Sequence, residues 1–197
     1  NLLLFKNKYS GVVFKNSYKN KILTIDQLDI LDFVGGDLKV TGKINYENKD
    51  PEYDIIIDLK HKDFAKVHDF FQLPKVLKGF IVNEGLLKIS SLGNIGKLKS
   101  QLLFENDNSK ISYNGLVKIN NYAINEFKGK LNASVNNLSD IIDIGEGEKT
   151  SYLSDIEKKN SLLTIENISV NNPNYTYSGN IIINNEKNNF LDIDIDL

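Results

Sequence analysis

The chain has 197 residues, 41% hydrophobic and 25% charged, enough for one sizeable folded domain and too apolar for general disorder. A net charge of -2, with lysine at all 24 basic positions, excludes the concentrated, arginine-rich face that a nucleic-acid backbone selects. The absence of cysteine excludes disulfides, thiolate metal sites and cysteine nucleophiles, and leaves the compartment open.

Short strands are predicted over residues 2–5, 11–15 and 22–28, because apolar and polar residues alternate and no stripe of helical period develops. Leu23-Thr24-Ile25-Asp26-Gln27-Leu28 has a close match in Leu163-Thr164-Ile165-Glu166-Asn167-Ile168 and a weaker one in Leu87-Lys88-Ile89-Ser90-Ser91-Leu92. The next stretch, Leu38-Lys39-Val40-Thr41-Gly42-Lys43-Ile44-Asn45-Tyr46, is an alternating strand with glycine on its apolar row. Tyr53 opens a return strand 11 residues after Gly42. Polar Asp63 then precedes Phe64-Ala65-Lys66-Val67-His68-Asp69-Phe70-Phe71, which reads as a short amphipathic helix leaving the sheet.

Further strands are expected at Gly79–Val82, at Gly85–Ile89 and around Leu98, Leu102 and Phe104, a region that reads as a degenerate copy. The glycine strand returns as Ile111-Ser112-Tyr113-Asn114-Gly115-Leu116-Val117-Lys118-Ile119, followed by a return strand from Phe127 and a helix at Leu138–Ile142 after Asn137. Residues 145–161 are predicted to be a loop or helical insertion. A third copy, Tyr175-Thr176-Tyr177-Ser178-Gly179-Asn180-Ile181-Ile182-Ile183, is followed by the alternating run Leu191–Leu197. That run and the opening Asn1-Leu2-Leu3-Leu4-Phe5 predict that both ends continue in a longer protein. No apolar run approaches the roughly 20 residues that span a bilayer as a helix.

The sequence therefore predicts a mainly β protein. It is a long, curved, trough-like antiparallel sheet of repeated strand, strand and short-helix units with a few short helices, forming one domain over residues 1–197. Its repeats lie at approximately 22–71, 86–145 and 161–197. Each glycine strand has one apolar face (Leu38, Val40, Ile44, Tyr46; Ile111, Tyr113, Val117, Ile119; Tyr175, Tyr177, Ile181, Ile183) and one largely polar face, as in an antiparallel sheet wet on one side. Glycine within a strand costs about 0.5–1 kcal/mol relative to alanine, so Gly42, Gly115 and Gly179 point to a bend, a bulge or the close approach of another group, a bend being favoured.

No catalytic constellation stands out. His61 and His68 read as helix-surface histidines. Asp192, Asp194 and Asp196 lie along one strand face and do not converge on a metal, and Gly145-Glu146-Gly147-Glu148 is too acidic for a phosphate loop. Tyr46, Tyr53, Tyr113, Tyr175 and Tyr177 suit cross-strand packing, with ligand contact as the other reading. A non-enzymatic protein without cofactor, metal or nucleic-acid partner is expected.

The glycine strands, return strands and following helices resemble the AsmA-like family of bacterial envelope proteins, of the AsmA/TamB type. The likeness runs over roughly residues 22–197 and is clearest at Phe127-Lys128-Gly129-Lys130-Leu131-Asn132-Ala133-Ser134-Val135-Asn136-Asn137-Leu138-Ser139-Asp140-Ile141-Ile142. It implies a periplasmic β-trough, anchored in the inner membrane through a segment outside this sequence, that shields phospholipid acyl chains in transport between membranes and in outer-membrane biogenesis. Its lipid-facing residues would be Leu38, Val40, Gly42, Ile44, Ile111, Tyr113, Gly115, Val117, Ile119, Tyr175, Tyr177, Gly179, Ile181 and Ile183. The alternative is a structural β-repeat surface module, passenger-like or adhesin-like, with a dry core.

Overall fold

A computed structural model describes residues 2–4, 7–9, 11–64, 66–67, 84–107, 109–120, 123–135, 150–159, 162–172, 175–184 and 190–196. The protein is mainly β. In chain order the strands are β1 (Leu2–Leu4), β2 (Asn7–Tyr9), β3 (Val12–Lys19), β4 (Ile22–Phe33), β5 (Gly36–Asn45), β6 (Glu52–His61), β7 (Gly85–Asn94), β8 (Lys97–Glu105), β9 (Ser109–Asn120), β10 (Ala123–Val135), β11 (Thr150–Lys159), β12 (Leu162–Asn172), β13 (Tyr175–Asn184) and β14 (Phe190–Asp196). Helix among the described residues is confined to a turn that begins at Phe64, where the Lys66 N–H donates to the Asp63 carbonyl at 3.2 Å. None of the described helix is long and apolar enough to cross a membrane.

Contacts divide the chain into two compact units, one formed by Asn1–Asn94 with Leu102–Asp107 and the other by Ile95–Gln101 with Asn108–Leu197. In the first unit β3 to β7 form an antiparallel meander in chain order, and β1 pairs with β2 as a separate hairpin. Tight turns set the register. Asn20 and Lys21 (φ 51° and 61°) join paired Lys19 and Ile22, and Val34 and Gly35 (φ 57° and 96°) join paired Phe33 and Gly36. Positive φ at both central residues matches the right-handed twist of the strands they connect.

Strand β4 keeps its apolar residues on one face by bulging. Ile25 pairs with Gly42 but Leu28 with Val40, and Ile30 pairs with Leu38 but Phe33 with Gly36. Asp26-Gln27 and Leu31-Asp32 thus each stand opposite a single residue of β5, one extra residue per bulge, and the apolar spacing of two, three, two and three along Leu23, Ile25, Leu28, Ile30 and Phe33 stays on a single face. In the second unit β9 to β14 form another meander, and β12 bulges at the matching place: Ile165 pairs with Ile181 and Ile168 with Gly179, so that Glu166-Asn167 stand opposite the single Asn180, with Asn167 at φ 53°. The Asn180 side-chain oxygen accepts the Asn167 N–H at 3.0 Å. The two closely matched hexapeptides are thus two copies of one bulged strand.

Residues 150–159, expected in an insertion, are strand β11, paired on both sides by β10 and β12. Their apolar row is broken by Ser154 and Lys158, so alternation was too weak to be recognised, and backbone pairing from both neighbours supplies what side-chain pattern does not. Gly79–Val82, His68 and the helix expected at Leu138–Ile142 lie outside the described residues.

A candidate lipid-facing sheet surface

Residues paired across antiparallel strands share a face, so the register assembles the predicted strand rows into a surface. In the first unit the pairing gives five such rows. They are Phe33–Gly36–His61–Gly85; Val12–Ile30–Leu38–Leu59–Leu87; Phe14–Leu28–Val40–Ile57–Ile89; Asn16–Ile25–Gly42–Ile55–Ser91; and Tyr18–Leu23–Ile44–Tyr53–Gly93. The opposite face carries alternating charge, as in the row Asp29–Lys39–Asp58–Lys88, and is the solvated side.

Burial along these rows is graded. Ile30, Phe33, Leu59 and His61 are buried at one end, where the equally buried Phe64 meets the His61 and Phe104 rings. The central Val40, Ile57 and Ile89 and the far-end Leu23, Ile44 and Tyr53 are only half-buried. Strand alternation is clean on β5, with Leu38, Val40, Gly42 and Ile44 half-buried and Lys39, Thr41 and Lys43 exposed. The expected row on β5 therefore exists, and much of its apolar surface is neither in contact with water throughout nor packed away.

His61 organises the buried end. Its Nε2 lies 2.8 Å from the Val34 carbonyl and its Nδ1 accepts the Asp63 N–H at 2.8 Å, a pattern that a ring carrying its hydrogen on Nε2 satisfies. The ring meets Phe64 edge-on at 5.7 Å, and Phe64 meets Phe104 at 4.9 Å and 78°. A Cβ on Gly36 would lie 2.5 Å from the His61 ring, and one on Gly85 would lie 2.9 Å from the Phe104 ring, so both glycines make room for rings. The expectation of a helix-surface histidine is corrected: His61 ends β6 and is 2% exposed. Its alternation with Leu59 and Ile57 placed it on the apolar row, but a polar side chain there is easily mistaken for a surface group until its two backbone partners are seen.

In the second unit the corresponding rows are Ile111–Ala133–Tyr152–Val170–Tyr177, Gly115–Gly129–Ile156–Ile165–Ile181–Ile193 and Val117–Phe127–Lys158–Leu163–Ile183–Leu191. Between the first two, Tyr113 pairs with Leu131 and Leu131 with Ser154, while Gly179 pairs with Ile195. The register thus brings Ile111, Tyr113, Val117 and Ile119 onto the same face as Gly115. It places Tyr175, Tyr177, Gly179, Ile181 and Ile183 on alternate positions of β13.

Of the readings offered for the glycines, close approach of another group is seen at Gly42 and Gly115. Gly115 and Gly129 face each other, and a Cβ on Gly115 would lie 2.5 Å from the Tyr113 hydroxyl, while one on Gly129 would lie 2.8 Å from the Tyr113 ring. Tyr113 lies folded over the glycine pair, donates its hydroxyl to the Leu116 carbonyl at 2.9 Å and meets Phe127 edge-on at 6.2 Å. An aromatic ring thereby covers the surface that two missing side chains leave bare. Burial pushes the Tyr113 phenol above its usual range. Tyr113→Phe is expected to cost about 1 kcal/mol in urea unfolding, the net worth of one hydrogen bond, while the ring stays in place. A loss above about 3 kcal/mol would show that the hydroxyl does more than hold the ring.

Ser154 is a polar interruption that the sequence did not single out. It is 1% exposed on β11, and its hydroxyl has no hydrogen-bond partner among the described residues. Burial also pushes the neighbouring Tyr152 phenol up, opposed by the Ser154 hydroxyl, which is placed to hydrogen-bond the phenolate once it ionises. Ser154→Ala is expected to leave stability unchanged or to raise it by about 1 kcal/mol, because an unpaired buried hydroxyl is removed. Thermal unfolding checks this, and a marked fall in Tm would show that the hydroxyl is satisfied after all.

No group of three or more potential metal ligands occurs among the described residues. The fold and surface define an antiparallel sheet protein with half-buried apolar rows on one face of each unit. Comparisons with protein-family models, curated proteins and solved structures return no match.

Proposed function

We propose that this chain is a non-enzymatic lipid-carrying segment of AsmA-like type, whose apolar sheet faces shield acyl chains during phospholipid transport between membranes and outer-membrane biogenesis. The observation that carries the reading is the graded first-unit face, on which Val40, Ile57, Ile89, Leu23, Ile44 and Tyr53 form adjacent half-buried rows next to a fully packed end. A dry-core structural module would have its apolar rows packed as tightly as the end around Phe64.

Hiding an acyl chain from water is favourable by about 0.8 kcal/mol per CH₂, so a carrier needs continuous apolar surface and few polar contacts. The register supplies such a surface without a cluster of charges on it. The sequence resemblance supplies the biological setting, a periplasmic protein acting between two membranes. Native mass spectrometry of the protein after gentle purification tests the reading. Co-purified phospholipid, lost when Ile44 and Ile55 are changed to aspartate, is the expected result. Repeated absence of lipid from folded protein would overturn it in favour of the structural module.

A further inference from the structure

The two ends of the first unit's face differ in a way that sets where a guest can lie. At one end the Phe33–Gly36–His61–Gly85 row is covered by Phe64, which meets the His61 ring, and by Phe104, whose ring lies beside Gly85, both completely buried and in edge-to-face contact. His61 ties this cover to the sheet through the Val34 carbonyl and the Asp63 N–H, and the glycines on either side of it leave no room for a further group. Close-packed rings present no accessible surface, and separating them would expose apolar area with nothing gained in return.

Among the described residues nothing comparable covers the other end, which carries tyrosines. Tyr53 stands opposite Gly93, Tyr18 is 64% exposed on the outermost strand of the meander, and Tyr46 is 42% exposed just beyond β5. The Tyr46 N–H donates to the Lys21 carbonyl at 2.9 Å, which draws the β3–β4 turn and the end of β5 together at this end. Tyrosine combines an apolar ring with a polar tip and suits a boundary between hydrocarbon and water. Successive rows lie about 6.6–6.8 Å apart along the strands, so the three half-buried rows that no described residue caps give a strip about 13–14 Å deep between the tyrosines and the packed end.

We infer that acyl chains reach the first unit's face from the Tyr18–Tyr46–Tyr53 end only, lie on the Leu23–Ile44–Tyr53, Ile25–Gly42–Ile55 and Val40–Ile57–Ile89 rows, and are stopped by the plug of His61, Phe64 and Phe104. This rests on the lipid-carrying reading and adds to it a closed side and an open side. The plug is a fixed part of the core. It limits how far a tail penetrates and keeps the polar end of the guest at the tyrosines.

The test is photolabelling of the intact chain with phosphatidylcholine vesicles whose lipid carries a diazirine in one acyl chain, with adducts mapped by mass spectrometry. Adducts on Leu23, Ile44, Tyr53 and Ile55, with none above background on Phe33, Leu59, His61 or Phe104, are expected. In Phe64→Ala, adducts should extend to Leu59 and Leu38. Wild-type adducts on Leu59 or Phe104 equal to those on Ile44 would overturn the one-sided site while leaving the carrier reading intact. Labelling absent altogether, or confined to outer-face residues such as Ile56 and Leu92, would overturn the carrier reading and this inference with it. The wild-type map decides the matter even if the variant fails to fold.

Discussion

Replacing Phe64 with alanine is expected to destabilise the first unit by about 3–5 kcal/mol, the range for deleting a buried aromatic ring and leaving a cavity. Phe64 is completely buried and touches rings on two sides, His61 at 5.7 Å and Phe104 at 4.9 Å between centroids. The cavity would also loosen His61, whose two backbone hydrogen bonds hold the Val34 carbonyl and the Asp63 N–H. Val34 is a β-branched residue at φ 57°, a conformation that costs about 1–3 kcal/mol and persists only where its surroundings hold it. Urea unfolding, followed by hydrogen exchange at residues 33–36 and 61–64, checks the effect. Loss of protection should be greatest there and smallest in β9 to β14. A uniform loss across both units would show that the plug is not a local device.

Gly42→Ala is the second large effect, expected to cost about 3 kcal/mol through the combination of backbone strain and overpacking. Gly42 has φ 147°, which L side chains rarely adopt, and a Cβ built there would collide with the Asp54 carbonyl and lie 2.8 Å from the Ile55 Cα. Both obstacles are backbone, so no side chain can swing aside, and relief requires β5 and β6 to part. Circular dichroism and urea unfolding check the effect; a cost below about 1 kcal/mol would show that the strand absorbs the methyl group by a small shift. Gly115→Ala differs, since the atoms it would meet include the Tyr113 hydroxyl, part of a movable side chain, as well as backbone of β10.

These glycines show where sequence reasoning stopped. Their recurrence in one register was legible, and so was the menu of bend, bulge or close approach. What each glycine accommodates was not legible. Gly42 accommodates the backbone of β6 beside a bulge in β4, whereas Gly115 accommodates a tyrosine from its own strand and a second glycine across the ladder. The intruding atoms come from residues 12 or more positions away or from a particular rotamer, and neither is encoded in local spacing.

The matched hexapeptides make the complementary point. Leu23–Leu28 and Leu163–Ile168 were recognisable as copies, yet the three-residue step from Ile25 to Leu28 looks like a break in alternation until the partner strand is known. Pairing of Ile25 with Gly42 and Leu28 with Val40 turns that step into a bulge that keeps both residues on one face. Strand β11 was missed for a related reason. Ser154 and Lys158 stand where apolar residues would announce a strand, and only the ladders on both sides make Thr150–Lys159 extended.

By itself the sequence determined the β class, the positions of the glycine strands and their returns, the apolar row on β5 and the start of a helix at Phe64. All of these depend on period-two alternation and on turn and cap residues that act over a few positions. The tertiary structure alone decided that His61 is buried, that Phe64, Phe104 and His61 close one end of the first face, and that Tyr113 covers a glycine pair. Each of those outcomes requires residues brought together from separate strands, and the register that unites them is set by bulges and turns acting along the whole ladder.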